Sequence, residues 1–221
     1  MDEMGLGPNG GLMACFDFLL ENLDWLDSRL DPTGDEPDVD LGPVGEESLV
    51  IFDCPGQIEL YTHAPVLPNL IAHLRRHQGF QLCAAYLLES TFVVDRAKYF
   101  AGTLSAMSAM LMLEVPHLNI LSKMDLVRKQ VSRRELKRFM DPDPTIMAEE
   151  ATAATNPRWH DLNMAVVGLI ESFAMVQFLP LESQEEDSVR TVLSYIDDMI
   201  GWSEVQEPKM PEQEEVEPEE V

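Results

Sequence analysis

Two short strings in this chain place chemically capable residues directly after apolar runs. The first run, Ser48 to Phe52, leads into Asp53-Cys54-Pro55-Gly56-Gln57. A carboxylate at a strand end, two residues ahead of Pro-Gly, has the arrangement of a Walker B aspartate entering a switch loop. There Asp53 can hold Mg²⁺ through water, Gly56 lets a backbone N–H approach a γ-phosphate, and Gln57 can orient an attacking water. Asp-x-Pro-Gly also forms plain turns. The second string, Ser122-Lys123-Met124-Asp125, follows the run Leu118 to Leu121. A lone Lys-x-Asp is weak evidence; at the end of a buried strand, after Asp53 to Gln57, it gains weight. His73 and His77 have the i,i+4 spacing of metal ligands on a helix. With no carboxylate or third ligand near them in sequence, they read as a solvated helix face. Cys15, Cys54 and Cys83 form an odd set without C-x-x-C spacing. That argues against a zinc site or a disulfide framework and fits a reducing compartment.

These residues need elements to position them. Four apolar runs, Ser48 to Phe52, Leu82 to Leu88, Leu118 to Leu121 and Met175 to Leu179, predict buried parallel strands. Helical patterns lie at Gly11 to Leu30, Pro65 to His77, Thr91 to Leu113, Ser132 to Phe139, Pro157 to Phe173 and Ser188 to Trp202. In the first of these, Leu12, Phe16, Leu19, Leu20 and Leu23 line one stripe. Alternating strands and helices give an α/β fold with a parallel sheet and flanking helices. Ligands of such sheets bind at the carboxyl ends of the strands. Asp31 to Glu47, full of Asp, Gly and Pro, reads as a mobile loop inside one domain spanning 1–203. Residues 204–221, rich in Glu and Pro, read as a disordered acidic tail.

Charge excludes some functions. Fifteen Lys and Arg against 40 Asp and Glu give a net charge of −25. Such a surface repels phosphate backbones and anionic lipid, so neither nucleic acid nor membrane is expected as a direct partner. The best candidate for a membrane span, Ala101 to Leu113, is too short and contains Ser and Thr. The start, Met-Asp-Glu-Met-Gly, lacks the basic and apolar parts of a signal peptide, and an intracellular protein is expected.

A third string, Gly7-Pro8-Asn9, stands just ahead of Gly10-Gly11. Alone it reads as an ordinary turn before a helix. Taken with Phe52-Asp-Cys-Pro-Gly-Gln-Ile-Glu-Leu-Tyr-Thr-His63 and Asn119-Ile-Leu-Ser-Lys-Met-Asp125, it closely resembles the GPN-loop GTPases, from Met4 to about Trp202. The resemblance implies a P-loop NTPase fold of the SIMIBI type that binds and hydrolyses GTP, with GTP or GDP and Mg²⁺ as cofactors. Lys123 and Asp125 are then similar to the Asn/Thr-Lys-x-Asp motif, with Ser122 in place of Asn or Thr. By that likeness Asp125 accepts hydrogen bonds from N1–H and the 2-amino group of guanine, and adenine is rejected because it leaves the carboxylate unpaired. The Lys123 stem packs along the purine, and Phe178-Leu179-Pro180-Leu181 lies where the family closes over the base. Asn9 would reach the γ-phosphate side of a partner subunit's nucleotide. The implied partner is another GPN-loop GTPase subunit, in a homo- or heterodimer. The implied role is assembly and nuclear import of RNA polymerase II through its subunits, by a cytoplasmic protein that shuttles to the nucleus.

Two family features are missing. No G-x-x-x-x-G-K-S/T string occurs in the 221 residues, and Gly5, Gly7, Gly10 and Gly11 precede no Lys-Ser or Lys-Thr. Nor does any segment match the family's Leu-Asp-Pro-Ala-Ala switch I region. The expectation is a truncated isoform, or a gene model begun at an internal methionine, whose fold lacks the first strand and the Walker A loop. Losing that cradle removes most of the β- and γ-phosphate contacts. Single preorganised donors alone are worth about 10²–10³ in rate. It also leaves apolar strands with unpaired edges, or forces them to pair directly, which predicts marginal stability and aggregation. The alternative function is therefore a dimerisation or binding module without GTP turnover. Thr103 to Leu113 could serve its interface, but Met at helical spacing fits core filling better.

Overall fold

Among the described residues three strands pair in parallel, in the order β1 (Ala84–Glu89), β2 (His117–Ser122), β3 (Phe178–Pro180). The computed structural model describes residues 5, 7–30, 48–57, 65–77, 79–140, 157–172 and 176–202. Tyr86 stands opposite Asn119 and Leu88 opposite Leu121, while Leu121 also stands opposite Pro180. Period-two geometry sends neighbouring side chains of β2 to opposite faces. Leu121 joins Leu88, Tyr99, Met107, Phe139 and Phe178 in the largest core cluster. Leu118 and Ile120 pack instead with Val192. A strand buried on both faces must be covered on both, which is why Leu118, Ile120 and Leu121 are apolar on either side of the buried Asn119.

The cover comes from helices α1 (Pro8–Glu21), α2 (Leu23–Leu30), α3 (Val66–His77), α4 (Arg96–Leu113), α5 (Arg133–Met140), α6 (His160–Ser172) and α7 (Glu186–Ile200). The sheet and its flanking helices bear out the expected α/β class. α4 is opened by Asp95, whose carboxylate accepts from the N–H groups of Ala97 and Lys98. It lies so close to the sheet that a Cβ on Gly102 would meet Leu88 Cδ1 at 2.7 Å. Thr103, Ala106, Met107, Ala109 and Leu113 are buried, so this helix is chiefly core. Tyr99 donates to the Phe139 carbonyl at 2.6 Å and meets the Phe139 ring edge-on. A separate cluster of Leu30, Leu67, Leu70, Leu74, Leu113 and Val115 joins α2, α3 and the end of α4. Among the described residues no helix is long and apolar enough to cross a membrane.

Four expectations need correction. Ser48–Phe52 is not a strand: among the described residues, 48–57 form no part of the sheet. Val50 and Cys54 lean on the Leu67–Leu70–Leu74 cluster, whereas Ile51 is 80% exposed. An apolar run fixes the preference for an extended backbone, but a strand also needs a neighbour to exchange hydrogen bonds. Among the described residues Ser48–Phe52 and β1 therefore do not pair, and β1 pairs on one edge only. The first helix starts at Pro8, with Gly7 at its N-cap, so Gly-Pro-Asn is the helix's own first turn and not a turn ahead of it. It also breaks at Asn22, whose side chain takes the Phe18 carbonyl, leaving α2 separate. Lastly, His73 is not on a solvated face: its Nε2 lies 2.7 Å from Asp27 Oδ1, tying α3 to α2, and its ring stacks on His77. No group of three His, Cys, Asp or Glu among the described residues could hold a metal ion. The loop 31–47 and the tail 204–221 lie outside the described residues.

Candidate functional site

At the carboxyl ends of the three strands the backbone makes a braced corner. After Ser122 the chain turns through Lys123 with φ +56°, the left-handed region that a residue bearing a Cβ adopts only when its surroundings hold it. The hold is visible on both sides. On the β1 side, the buried Ser90 hydroxyl donates to the Lys123 carbonyl at 2.7 Å, and the Ser122 hydroxyl donates to the Leu88 carbonyl at 3.3 Å. On the β3 side, Leu181 N–H donates to the Leu121 carbonyl at 2.8 Å, and Met124 N–H donates to the Leu181 carbonyl at 3.3 Å. Buried Met124 and Val127 anchor the short 3₁₀ turn Met124–Leu126 from beneath. Asp125 sits in that turn with its carboxylate at the surface. Lys123, Asp125, Pro180 and Leu181 thus share one corner.

Charges organise the rim. Lys123 Nζ lies 3.0 Å from Glu89 Oε2 at the end of β1. The Thr91 hydroxyl, and after it Lys123, hold the Glu89 carboxyl below the usual carboxylate range. Arg128 forks onto Glu185 with Nη1–Oε1 2.9 Å and Nη2–Oε2 3.0 Å. Arg128 Nη2 is also 2.9 Å from Glu182 Oε2. Its hydrogen bonds lower the Glu185 pKa, while Glu185, followed by Glu182 and Asp125, raises that of Arg128. Glu89, Ser90, Arg128, Glu182 and Glu185 were not legible as site residues. The rule that ligands meet strand ends could have flagged Glu89 and Ser90 after the run Leu82 to Leu88. For Arg128 and its two glutamates the sequence offers no signal, since their approach is tertiary.

The other predicted residues stand apart from this corner. Asp53 and Gly56 are exposed on the extended segment, and Gln57 is half-buried. Burial, and secondarily the Asp53 carboxylate, pushes the neighbouring Cys54 thiol up. Gly7, Pro8 and Asn9 are exposed at the start of α1, where Gly11 N–H donates to the Gly7 carbonyl at 2.8 Å. Among the described residues no hydrogen bond or ion pair joins Asp53, Gly56, Gln57 or Asn9 to Lys123 or Asp125. A Mg²⁺ at Asp53 would have one protein carboxylate. That fits the mode in which phosphate oxygens and waters complete the shell, and not a cage built by the protein.

Known proteins share this chain's sequence almost from end to end. A family model described as "conserved hypothetical ATP binding protein" matches residues 1–202. GPN-loop GTPase 3 of Yarrowia lipolytica is 59% identical over 220 residues, covering 100% of this chain and 77% of the relative. GPN-loop GTPase 3 of Schizosaccharomyces pombe is 55% identical over 214 residues, covering 96% and 73%. The protein of that name from Saccharomyces cerevisiae is 51% identical over 213 residues, covering 96% and 74%. Identity at this level over nearly all of the chain, with Gly7-Pro8-Asn9 and the braced Lys123–Asp125 corner in place, makes the chain a member of the GPN-loop GTPase family.

Proposed function

We propose that the corner after β2 reads a guanine base, and that the chain is a GTP-binding subunit of the hydrolytic kind its relatives' names describe. One observation carries this reading: the Lys123 backbone is held in a left-handed turn by hydrogen bonds from the ends of both neighbouring strands. A conformation that costs free energy persists where a side chain must be aimed. The aimed group is Asp125, an acceptor pair suited to the two adjacent donors on the guanine edge and unsuited to adenine. Lys123 would lie along the purine, with Pro180 and Leu181 closing over it. Asp53 would hold Mg²⁺ through water, which supplies charge neutralisation at the phosphates. Gly56 and Gln57 would serve the γ-phosphate and the attacking water. Asn9, exposed on the first turn of α1, would act on a partner subunit's nucleotide. The family resemblance extends the proposal to dimerisation with another GPN-loop GTPase and to RNA polymerase II import, with shuttling between cytoplasm and nucleus.

A second reading, a binding module without turnover, is favoured by a specific observation. Among the described residues the Asp53–Gln57 segment belongs to no strand of the sheet, Asp53 and Gly56 are exposed, and the string that would cradle the phosphates does not occur in the 221 residues. Among the described residues the outer edge of β1, beside an exposed Leu87, carries no further strand, which supports the same reading. Titration with a fluorescent GTP analogue, with and without Mg²⁺, separates the two. Micromolar, Mg²⁺-dependent binding that Asp125→Ala weakens by about 100-fold or more is expected for a nucleotide site. Binding insensitive to Asp125→Ala would discard the base corner and leave the module.

A further inference from the structure

We propose that Arg128 is a positioning residue for base recognition, a clamp that fastens the turn bearing Asp125 to the start of α7. The inference rests on reading Lys123 and Asp125 as the base corner, and it adds a residue to that site. Discriminating guanine from its close analogues requires one carboxylate to meet two adjacent donors together. A displacement of a fraction of an ångström then loses one of the contacts. Yet Asp125 is at the surface, and the backbone contact nearest it on the β3 side, Met124 N–H to Leu181 O, is long at 3.3 Å.

Arg128, three residues on, supplies a firmer hold. Its own N–H donates to the Met124 carbonyl at 3.3 Å, so the side chain departs from the same turn. The planar guanidinium fork matches the Glu185 carboxylate at both nitrogens, a geometry that a lysine cannot reproduce. Glu182, whose side chain is only 16% exposed, closes on Nη2 from the other side. Both acceptors sit on stiff backbone. Glu185 is the N-cap residue of α7, and its carbonyl accepts from Val189 N–H at 3.2 Å. Glu182 N–H donates to the Ser188 hydroxyl at 2.9 Å, folding the loop back onto the first turn of α7. An isolated surface pair is worth little, but here both hydrogen bonds of the fork go to Glu185, while the half-buried Glu182 carboxylate adds a charge contact without a hydrogen bond of its own. Charge works the same way. Without Arg128, the carboxylates of Asp125, Glu182 and Glu185 would gather at one corner uncompensated and push the turn away from the β3 loop.

The test compares GDP with IDP, which lacks the 2-amino group, by displacement of a fluorescent GDP analogue from the full chain. A ratio of the two affinities cancels any loss of folded protein. The unmutated chain is expected to favour GDP by at least about tenfold. Arg128→Gln should bring the ratio several-fold closer to one, Arg128→Lys should recover only part of it, and Asp125→Ala should abolish it. The double variant Glu182→Gln/Glu185→Gln should match Arg128→Gln, and adding Arg128→Gln to it should change nothing further. An unchanged ratio in Arg128→Gln, with Asp125→Ala still abolishing it, overturns the clamp and leaves the base corner standing. An unchanged ratio in Asp125→Ala, or no measurable GDP binding by the unmutated chain, overturns the base corner and the clamp with it.

Discussion

The corner after β2 and the segment 48–57 both begin as apolar runs that end in a carboxylate, and they fare oppositely. At the corner, each neighbouring strand contributes hydrogen bonds that fix the turn, and the residues beneath it, Met124 and Val127, are buried. Among the described residues the segment has no strand beside it; Val50 and Cys54 lean on the core, and Ile51 faces solvent. Apolar sequence alone therefore does not build a site. What fixes the turn bearing Asp125 is the supply of backbone partners on two sides, and Asp53 lacks that supply among the described residues.

The largest expected effect tests whether the two regions differ in stability. Phe178 is 2% exposed at the centre of the main core, against the Tyr99 ring. Phe178→Ala is expected to destabilise the fold by about 3–5 kcal/mol, because the transfer term and the cavity term add. Ile51→Ala is expected to change stability by less than about 0.5 kcal/mol. Urea denaturation followed by circular dichroism measures both, and comparable losses from the two variants would erase the difference between the two regions.

A smaller effect sharpens the comparison through pH. Burial lowers the pKa of His117, at the start of β2, and neighbouring Asn119 offsets this only in part. The folded chain thus prefers the neutral ring. Its contribution is fully present above the ordinary imidazole value, about 6.5. It is lost progressively as pH falls below that value towards the folded one, since the unfolded chain then binds the proton more readily. The urea midpoint should therefore drop between about pH 7.5 and about pH 5.5 more steeply in the natural chain than in His117→Leu. Equal slopes would show that His117 titrates alike in both states. The smallest effect concerns the loose segment. Because the Asp53 carboxylate adds to burial in raising the Cys54 thiol, Asp53→Asn should speed alkylation of Cys54 by about two- to threefold, with Cys83 unaffected. Peptide-resolved mass spectrometry reads this directly, and an unchanged Cys54 rate would mean that Asp53 is turned away from it.

Much of this molecule was legible from its residues. The runs at Leu82 to Leu88 and Leu118 to Leu121 announced β1 and β2 to within two residues at each end, although only β2 is buried on both faces and β1 leaves Ala85 and Leu87 exposed. Most helices were equally plain from their apolar spacing. Break points were harder. Asn22 and Asp95 act through local side-chain hydrogen bonds that compete with helix continuation, and periodicity is blind to them. The strings Gly7-Pro8-Asn9, Asp53 to Gln57 and Ser122 to Asp125 carried the family from sequence alone, since together, in order along an α/β chain, they leave little room for another assignment. What only the tertiary structure decided is which of those strings are braced. Pairing needs a neighbour, and a neighbour can come from anywhere in the chain. Ser90, Glu89, Arg128, Glu182 and Glu185 reach the Lys123 corner from three different strand ends, and no spacing rule connects them.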